Sequence, residues 1–377
     1  MKILITGANG MLAKEIKDRF SEKNELILTD VAELDITNEE MVKNFVKKEK
    51  PECIINCAAF TAVDKAETAG EIVEKINANG PENLAKAAKE NDAVLVHVST
   101  DYVFGGDLDI EKDYKEDDPK SPVTAYGITK LHGEEQIQEN TDKYYIFRTA
   151  WLYGIGGNNF VKTMLKLGKD KDELNVVADQ HGSPTYAKDL AEFIYQAVTK
   201  KIPYGIYNST NEGYTTWYDF TKAIFEYAGI ICKVNPVTTE EYIDMMKITQ
   251  AKRPKNSQMS KEKLEKAGIN VIIGTPTYAV PTWMVEAYPD VLAETVRGRG
   301  IYGTRQNMDI THPVYRYHAE KVIRKLMEVS AHRKCVIGFQ LDNETKYYGT
   351  AGRNVQLGFV KYLREKFNND LDTMNHE

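Results

Sequence analysis

A glycine turn near the start of the chain, between an apolar run and an amphipathic segment, most constrains what this sequence can fold into. Ile3 to Ile5 predict a buried strand, Gly7 and Gly10 follow at once, and the apolar spacing from Met11 onward predicts a helix. A strand, a glycine turn and a helix in this order begin a βαβ unit of the kind that binds dinucleotides. The first glycine allows the sharp turn. The second lets a pyrophosphate approach the helix N-terminus, where free N–H groups and the helix dipole favour negative charge.

Such a turn also joins strands to helices in other α/β proteins, so the neighbouring sequence has to decide between the two interpretations. Ala13 stands in the place of a third glycine, where a methyl group is usually small enough. A second predicted strand, residues 25–30, ends in Asp30 about twenty residues after the turn, where a carboxylate can bond ribose hydroxyls. A carboxylate there repels a 2′-phosphate and favours NADH, and the alternative is a solvated turn residue.

Alternating strand and helix patterns predict an α/β fold, a Rossmann-like doubly wound parallel sheet. The further predicted strands span residues 53–56, 93–98 and 144–148, and the predicted helices span 38–48, 69–79 and 81–91. From about Trp151 the units lengthen, and helices are predicted over 158–169, 188–200, 216–229 and 261–267. These patterns place a dinucleotide-binding domain with a smaller C-terminal substrate lobe over residues 1–270.

Composition excludes several classes of protein. The chain has 377 residues, enough for two or three domains, and a net charge of −7, which implies no general affinity for nucleic acid. It contains no apolar stretch near the ~18 residues that span a membrane and no signal-peptide pattern, so a cytoplasmic location is expected. The four cysteines form no CxxC and no cluster with histidine, so free thiols and no metal site are expected.

Thr100, Tyr126 and Lys130 are the candidate catalytic residues. Tyr126 and Lys130 are four residues apart on a predicted helix and so share one face, while Thr100 ends a predicted strand. A nearby ammonium is expected to lower the phenol's pKa, which lets the phenol give a proton to a carbonyl oxygen as hydride reaches the carbon. The alternative is a surface Tyr–Lys pair. His97, inside the same strand as Thr100, is expected to be a core histidine with satisfied hydrogen bonds.

The motifs at residues 6–10, 56–67, 99–104, 126–134, 148–154, 158–160, 179–185 and 251–254 together carry a resemblance. On these stretches, residues 1–270 resemble extended short-chain dehydrogenases/reductases and, more closely, the dTDP-4-dehydrorhamnose reductases. The resemblance implies reduction of the 4-keto group of dTDP-4-dehydro-L-rhamnose to dTDP-L-rhamnose, with hydride from NADPH or NADH. It also implies a small nucleotide-sugar substrate, with neither nucleic acid nor membrane as a partner.

The same resemblance implies a role for each matching residue. Tyr126 is then the proton donor, Lys130 its partner and a cofactor ligand, and Thr100 the hydroxyl on the ketone. Thr100, Asp101 and Trp151 fall where that family contacts the sugar nucleotide. The cofactor-contact positions are occupied by Gly7, Asn9, Gly10, Met11, Leu12, Asp30, Asp35, Ile36, Ala58, Ala59, Thr61, Tyr126 and Lys130.

Two further expectations come from this resemblance. Some members of the family use a divalent ion such as Mg²⁺ at a homodimer contact, and Glu15 falls near that place, although an exposed helix acid is the alternative there. The same fold also occurs as a non-catalytic regulatory subunit of methionine adenosyltransferase. The intact Thr100, Tyr126 and Lys130 favour the enzyme, because a regulatory protein needs no hydride-transfer constellation.

The character of the sequence changes near Asn270 without a linker. The stretches 274–283 and 336–344 resemble an internal piece of family 42 β-galactosidases, which are TIM-barrel glycosidases. In that family the residue matching Glu344 is the general acid/base at the end of a barrel strand. The piece covers two of eight strands and lacks the nucleophile's strand, so residues 271–377 are expected to be an incomplete barrel fragment with a vestigial Glu344. A gene fusion, a chimera and an assembly error remain alternatives for the seam.

Overall fold

The computed structural model describes residues 1–268, 271–274, 282–295, 298–299, 309–310, 312–330 and 336–340, and it divides into two compact units, Met1–Ile269 and Asn270–Glu377. The elements of the first unit are β1 (Lys2–Thr6), α1 (Met11–Phe20), β2 (Glu25–Thr29), α2 (Glu39–Glu49), β3 (Cys53–Asn56), α3 (Val63–Ala69), α4 (Glu71–Glu74), a π-helical turn (Lys75–Asn79), α5 (Gly80–Glu90), β4 (Val94–Thr100), a 3-10 turn (Asp101–Val103), α6 (Ala125–Asn140), β5 (Tyr144–Thr149), β6 (Leu152–Tyr153), α7 (Phe160–Asp170), β7 (Glu173–Val177), β8 (His181–Gly182), β9 (Thr185–Tyr186), α8 (Ala187–Lys200), β10 (Gly205–Asn208), β11 (Thr215–Thr216), α9 (Trp217–Ala228), β12 (Lys233–Val237), α10 (Thr239–Met246), β13 (Asn256–Ser257) and α11 (Glu262–Lys266).

A six-stranded parallel sheet in the order β10-β5-β4-β3-β1-β2 forms the centre of the first unit. The chain passes from β1 to β2 on one side and then returns to β3 on the other side of β1. In open α/β sheets, ligands bind beyond the carboxyl ends of the strands where the winding direction reverses. The crevice between the ends of β1 and β3 is therefore the expected binding position.

The sheet is covered on both faces, as its apolar strands predicted. Along β1, Ile3 and Ile5 pack in one cluster with residues of α1 and α8, while Leu4 packs in a second cluster with residues of α2 and α5. Successive side chains of a strand point to opposite faces, so three consecutive apolar residues supply both cores. The predicted α/β, Rossmann-like parallel sheet is confirmed.

The helix predicted over residues 69–79 begins two residues later, at Glu71, and does not end at 79, because it continues into α5. Helix α3 ends at Ala69, and Gly70 has φ 58° and ψ −135°, which interrupts the helix. After the short α4, residues Lys75–Asn79 form a π-helical turn that leads into α5. The Asn77 side chain accepts a hydrogen bond from Phe60 N–H at 2.8 Å and donates to Phe60 O at 3.2 Å. This bulge thus fixes the segment that follows β3, beside the expected crevice.

Smaller sheets and helices build the region after β5. Strands β7 and β12 pair in parallel, β8 lies between β11 and β13, and α7 and α9 pack together over β7. Helices were predicted over 158–169, 188–200, 216–229 and 261–267, and α7, α8, α9 and α11 lie at these places. These elements follow β5 in sequence, where a substrate lobe was predicted, although α8 and the later strand β10 belong to the central sheet and its packing.

The described elements of the second unit are β14 (Val271–Gly274), α12 (Thr282–Ala287), a 3-10 turn (Pro289–Val291), β15 (Glu294–Thr295), β16 (Gly298–Arg299), α13 (Pro313–Ser330) and β17 (Val336–Gln340). Strands β14 and β17 pair in parallel, with α12 and α13 between them in sequence. The predicted acid/base Glu344 lies outside the described residues. Across the described parts of both units, no helix is long and apolar enough to cross a membrane.

Candidate active site

The turn after β1 has a conformation that only glycine tolerates. Gly7 has φ 63°, and a Cβ built there would lie 2.8 Å from the backbone nitrogen of Ala58, at the end of β3. The Ala8 N–H donates to Thr29 O at 3.0 Å, and the Gly10 N–H donates to Gly7 O at 2.9 Å. The turn is therefore held against both neighbouring strands at the reversal of the sheet.

Helix α1 begins directly after this turn. Its N-cap residue is Gly10, so no side chain caps the first helical N–H groups, and its first turn carries no acid. Uncapped N–H groups at a helix N-terminus are suited to an anion, since the helix dipole adds to their attraction. The geometry fits the pyrophosphate of a dinucleotide.

Asp30 follows β2 next to the glycine turn. Its carboxylate accepts a hydrogen bond from Asn9 N–H at 3.2 Å and another from Val31 N–H at 2.8 Å. The side chain is half-buried, not a freely solvated turn acid. This position is the one expected of a carboxylate that bonds ribose hydroxyls.

Asp35 and Ile36 lie in the loop between β2 and α2. Asp35 accepts from the N–H and the hydroxyl of Thr37, at 2.9 and 2.8 Å. The Ile36 side chain is buried, and its carbonyl accepts from the Asn83 side-chain amide at 2.9 Å. The hydrogen bonds of Asp35 are local and that of Ile36 is to α5, and the assignment of both residues to the cofactor stays a prediction.

A cleft of about 960 Å³ opens beyond the ends of the central strands. The predicted site residues on its wall are Gly10, Met11, Leu12, Ala59, Thr61, Thr100, Asp101, Tyr126, Lys130 and Trp151. The others, Gly7, Asn9, Asp30, Asp35, Ile36 and Ala58, do not line it. The structure thus brings the predicted catalytic and sugar-contacting residues together with the start of α1.

Tyr126 lies in the first turn of α6, whose N-cap Thr124 accepts a hydrogen bond from Gly127 N–H at 3.0 Å. Burial raises the pKa of the Tyr126 phenol, and the Thr100 hydroxyl opposes this rise only partly. The expectation that Lys130 lowers the phenol's pKa is therefore wrong for this structure. A phenol with a raised pKa keeps its proton at neutral pH, as a proton donor must.

The reason is the direction in which Lys130 points. Its Nζ donates to Val98 O at 2.7 Å and lies 2.9 Å from His97 Nε2, so its polar contacts are to β4. The side chain is 1% exposed, and burial lowers its pKa to about 8. His97 is fully buried with a contact at each ring nitrogen, as expected of a core histidine.

Two polar groups at the end of β4 face the cleft. The Thr100 hydroxyl donates to Asp101 Oδ1 at 3.0 Å and accepts from Tyr102 N–H at 3.2 Å. Asp101 is 4% exposed, and burial raises its pKa to about 6. Its Oδ2 atom is buried and has no hydrogen-bond partner in the described structure. An acceptor on the wall of a cleft without a protein donor is suited to a hydroxyl group of a ligand.

Trp151 has a left-handed backbone, with φ 49°, and its indole stacks on that of Trp217. The two ring centroids are 3.6 Å apart and the planes are inclined by 12°. The Trp217 Nε1–H donates to Gln180 Oε1 at 3.1 Å, which fixes the second indole. The two indoles give the cleft a flat aromatic wall. The sequence analysis did not predict that Trp217 lines the cleft.

Arg253 is a second residue without a predicted role. Within the described structure, Lys130 and Arg253 are the basic residues on the cleft wall. The Arg253 guanidinium binds both carboxylate oxygens of Asp64, at 2.7 and 2.8 Å, and lies 3.5 Å from the Tyr102 hydroxyl. It falls within the motif at residues 251–254, which was the available signal.

Glu15, the candidate for a divalent ion, is half-exposed on α1. In the part of the chain that the structure describes, no group of three or more His, Cys, Asp or Glu side chains could hold a metal ion. The expectation of Mg²⁺ therefore has no support here.

Comparison with known proteins adds to this geometry. The chain is similar to curated dTDP-4-dehydrorhamnose reductases from Aggregatibacter actinomycetemcomitans, at 41% identity over 71% of this chain and 92% of that protein, and from Escherichia coli K12, at 42% identity over 70% and 91%. A crystal structure of such a reductase from Bacillus anthracis in complex with NADP matches with a TM-score of 0.67 and 43% identity, over 71% of this chain and 92% of that one.

Family models divide the chain in a similar way. A β-galactosidase family model matches residues 259–377, which agrees with the resemblance of the second segment. The model of the RmlD substrate binding domain matches residues 1–280, and its match therefore overlaps the other by some twenty residues. On this match and on the curated relatives, the chain belongs to the RmlD substrate binding domain family.

Proposed function

We propose that this chain is an NAD(P)H-dependent dTDP-4-dehydrorhamnose reductase, which reduces the 4-keto group of dTDP-4-dehydro-L-rhamnose to give dTDP-L-rhamnose. The observation that carries the proposal is the meeting of Thr100, Tyr126 and Lys130 in one cleft that begins at the uncapped N-terminus of α1. The reductases among its relatives, and the NADP named with the Bacillus anthracis structure, support the substrate and the cofactor.

The residues of the cleft divide the reaction between them. The bound nicotinamide would supply hydride to the carbonyl carbon. Tyr126 gives its phenolic proton to the carbonyl oxygen, and burial keeps that proton in place until the oxygen gains charge. The Thr100 hydroxyl turns from Asp101 to donate to the same oxygen, which stabilises the developing negative charge. Lys130, at the base of the cleft, orients the cofactor.

Other groups on the wall suit a nucleotide sugar. The unpartnered Oδ2 of Asp101 can accept a hydrogen bond from a sugar hydroxyl. The stacked indoles of Trp151 and Trp217 offer a flat face to a planar base. Arg253 lies on the cleft wall and is positively charged, so it can attract a pyrophosphate. Its planar guanidinium can also donate to two phosphate oxygens at once.

The test is oxidation of NADPH and of NADH by the full chain with dTDP-4-dehydro-L-rhamnose, with the product identified as dTDP-L-rhamnose. A matched reaction without the sugar nucleotide measures background oxidation. A chain that ends at Asn270, tested beside the full chain, shows whether the second segment affects turnover. Cofactor binding without any turnover would contradict the proposal and favour the non-catalytic alternative.

We also propose that the chain has two domains, residues 1–270 and 271–377. We further propose that the protein is cytoplasmic and forms a homodimer. For the second domain we propose an incomplete β/α barrel fragment without glycosidase activity. A retaining glycosidase needs two carboxylates about 5–5.5 Å apart. The given segment resembles the family at the acid/base position, Glu344, and contains no stretch that resembles the strand with the family's nucleophile.

Hydrolysis of a chromogenic β-galactoside by the full chain tests this second assignment, and no turnover above background is expected. Turnover that disappears in Glu344→Gln would show that a working glycosidase site forms, for example by association between chains.

A further inference from the structure

A chain of buried polar side chains crosses the sheet behind the cleft. Thr6 on β1, Asn56 on β3 and His97 on β4 occupy paired positions of neighbouring strands. Thr6 Oγ1 lies 2.7 Å from Asn56 Oδ1, Asn56 Nδ2 lies 3.1 Å from His97 Nδ1, and His97 Nε2 lies 2.9 Å from Lys130 Nζ. All four side chains are 1% exposed or less, and of the four only Lys130 lies on the wall of the cleft.

The orientation of the Asn56 amide is fixed by the backbone. Ala58 N–H, which can only donate, lies 3.0 Å from Asn56 Oδ1. Turning the amide over would place an NH₂ group against this N–H, which would leave two donors in contact. Asn56 therefore presents its NH₂ group to His97, and His97 Nδ1 has to accept that hydrogen bond.

This assignment fixes the proton on the imidazole ring. Burial holds the pKa of His97 well below its usual value, so the ring is neutral and carries one N–H. Because Nδ1 accepts from Asn56, the hydrogen must be on Nε2. The Nε2–H group then points at Lys130 Nζ, which also donates to Val98 O at 2.7 Å. A neutral amine can accept from Nε2–H, whereas an ammonium has no lone pair to do so.

We propose that Asn56 and His97 form an ordered hydrogen-bond chain that favours Lys130 as a neutral amine at alkaline pH before the cofactor binds, so that cofactor binding in that range is coupled to the uptake of one proton by Lys130. His97 and Asn56 are positioning residues in this scheme, since neither lies on the wall of the cleft. The inference rests on the proposed function only in treating Lys130 as a cofactor ligand.

The other titratable groups near Lys130 do not alter this balance. Cys57, at the end of β3, has its pKa raised to about 12 by burial and is a neutral thiol. Glu134, one turn further along α6, favours the ammonium but is already held in a buried ion pair, and burial of Lys130 outweighs its effect. Tyr126, one turn before Lys130, keeps its proton, and Asp101 lies at the end of β4 with its pKa raised to about 6.

The proton step balances without a further reactant. Water or buffer supplies one H⁺ to the Nζ lone pair, which then forms a fourth bond, and the ammonium donates to a ribose hydroxyl of the cofactor. The Nε2–H···Nζ hydrogen bond breaks at the same time, and Lys130 withdraws from His97. An ammonium donates a stronger hydrogen bond than a neutral amine does. The ribose hydroxyl is the additional acceptor for that bond, so cofactor binding favours the charged form of Lys130.

The first experiment needs no variant. Titration calorimetry of NADPH into the full chain above pH 8, in two buffers with different ionisation enthalpies, measures the protons exchanged on binding. The expected result is the uptake of up to one proton, which disappears near pH 6, where Lys130 is already charged. The absence of uptake at alkaline pH would overturn the proposal.

Two variants then test the hydrogen-bond network of Asn56, His97 and Lys130. Asn56→Asp puts a carboxylate on His97 Nδ1, which moves the ring proton there and leaves Nε2 to accept from an ammonium. His97→Gln can turn its amide oxygen toward Lys130 with the same effect. In both, the pH above which NADPH affinity falls should rise by about one unit or more, a tenfold change in the protonation equilibrium. Cys53→Ala is the matched control, since Cys53 is a fully buried residue of β3 that takes no part in these hydrogen bonds.

An unchanged pH break in His97→Gln, with NADPH still bound, would refute the role of His97. If Asn56→Asp does not fold, His97→Gln and the proton count of the unmodified chain each decide the question alone. NADPH binding requires no sugar nucleotide. A failure of the proposed reductase activity therefore leaves this result intact, and the two failures are distinguishable.

Discussion

Replacement of Tyr126 by Phe removes one hydroxyl from the cleft and leaves the ring, which packs edge-on against Tyr102 with centroids 5.5 Å apart. The lost hydroxyl takes with it the proton that we assign to the carbonyl oxygen. General acid catalysis is typically worth ~10²–10⁴-fold in rate. That factor corresponds to about 3 to 5 kcal/mol of activation free energy. Turnover should therefore fall by about this factor.

The fold should tolerate this change. Thr100 keeps its bonds to Asp101 and to the Tyr102 N–H, so the neighbouring groups retain partners. The loss of one hydrogen bond costs about 0.5–1.5 kcal/mol of the free energy of unfolding. Cofactor affinity should change little, because Lys130 and the glycine turn are untouched.

The assay is the loss of NADPH absorbance with dTDP-4-dehydro-L-rhamnose, together with a separate NADPH titration. Tyr145→Phe is the matched control, since it removes a buried hydroxyl that donates to Ile202 O at 2.6 Å in the sheet. The control should lose stability but not turnover. Unchanged turnover in Tyr126→Phe would refute the assignment of Tyr126 as the proton donor.

Lys130→Met should weaken NADPH binding and slow turnover together, because we assign to Lys130 the orientation of the cofactor that supplies the hydride; a change in the free energy of unfolding alone would contradict this. Asp30 should give the unmodified chain a usable affinity for NADH, and Asp30→Ala should weaken NADH more than NADPH in parallel titrations. A strong preference of the unmodified chain for NADPH would show that this carboxylate does not reach the ribose. Arg148→Met should lower the free energy of unfolding by about 3–5 kcal/mol in denaturant titrations, because it leaves the fully buried Glu134 carboxylate without its ion pair. A loss below ~1 kcal/mol would mean that Glu134 protonates or finds another donor.

The central sheet and its glycine turn could be predicted from the sequence because local pattern determines both. The strand predicted over residues 53–56 is observed as Cys53–Asn56, since a short apolar run that is buried on both faces has few alternatives. The turn needs a positive φ at Gly7, and that requirement is visible in the residue type itself. The helix predicted over residues 69–79 was placed two residues too early, because helical spacing continues across Gly70, whose backbone separates α3 from α4.

The candidate catalytic residues could also be predicted from the sequence, since Tyr126 and Lys130 lie one helical turn apart and Thr100 ends a strand that the apolar pattern predicts. Their pKa values were not readable. The direction of Lys130 toward His97, and the burial of both Lys130 and Tyr126, depend on how α6 packs on β4. The spacing alone suggested that the Lys130 ammonium lowers the pKa of the Tyr126 phenol. Burial instead raises the pKa of Tyr126 and lowers that of Lys130, because it disfavours the charged form of each.

Sequence alone determined the elements, the order of the nucleotide-binding unit and the residue types that the chemistry needs, because these follow from local periodicity and from the geometry of single residues. Only the tertiary structure decided which distant side chains meet. Arg253 reaches Asp64 across 189 positions of the chain, Trp151 stacks on Trp217, and Asn56 contacts His97 through neighbouring strands. Contacts of this kind have no periodicity along the chain, since the strand order and the packing of helices on the sheet create them.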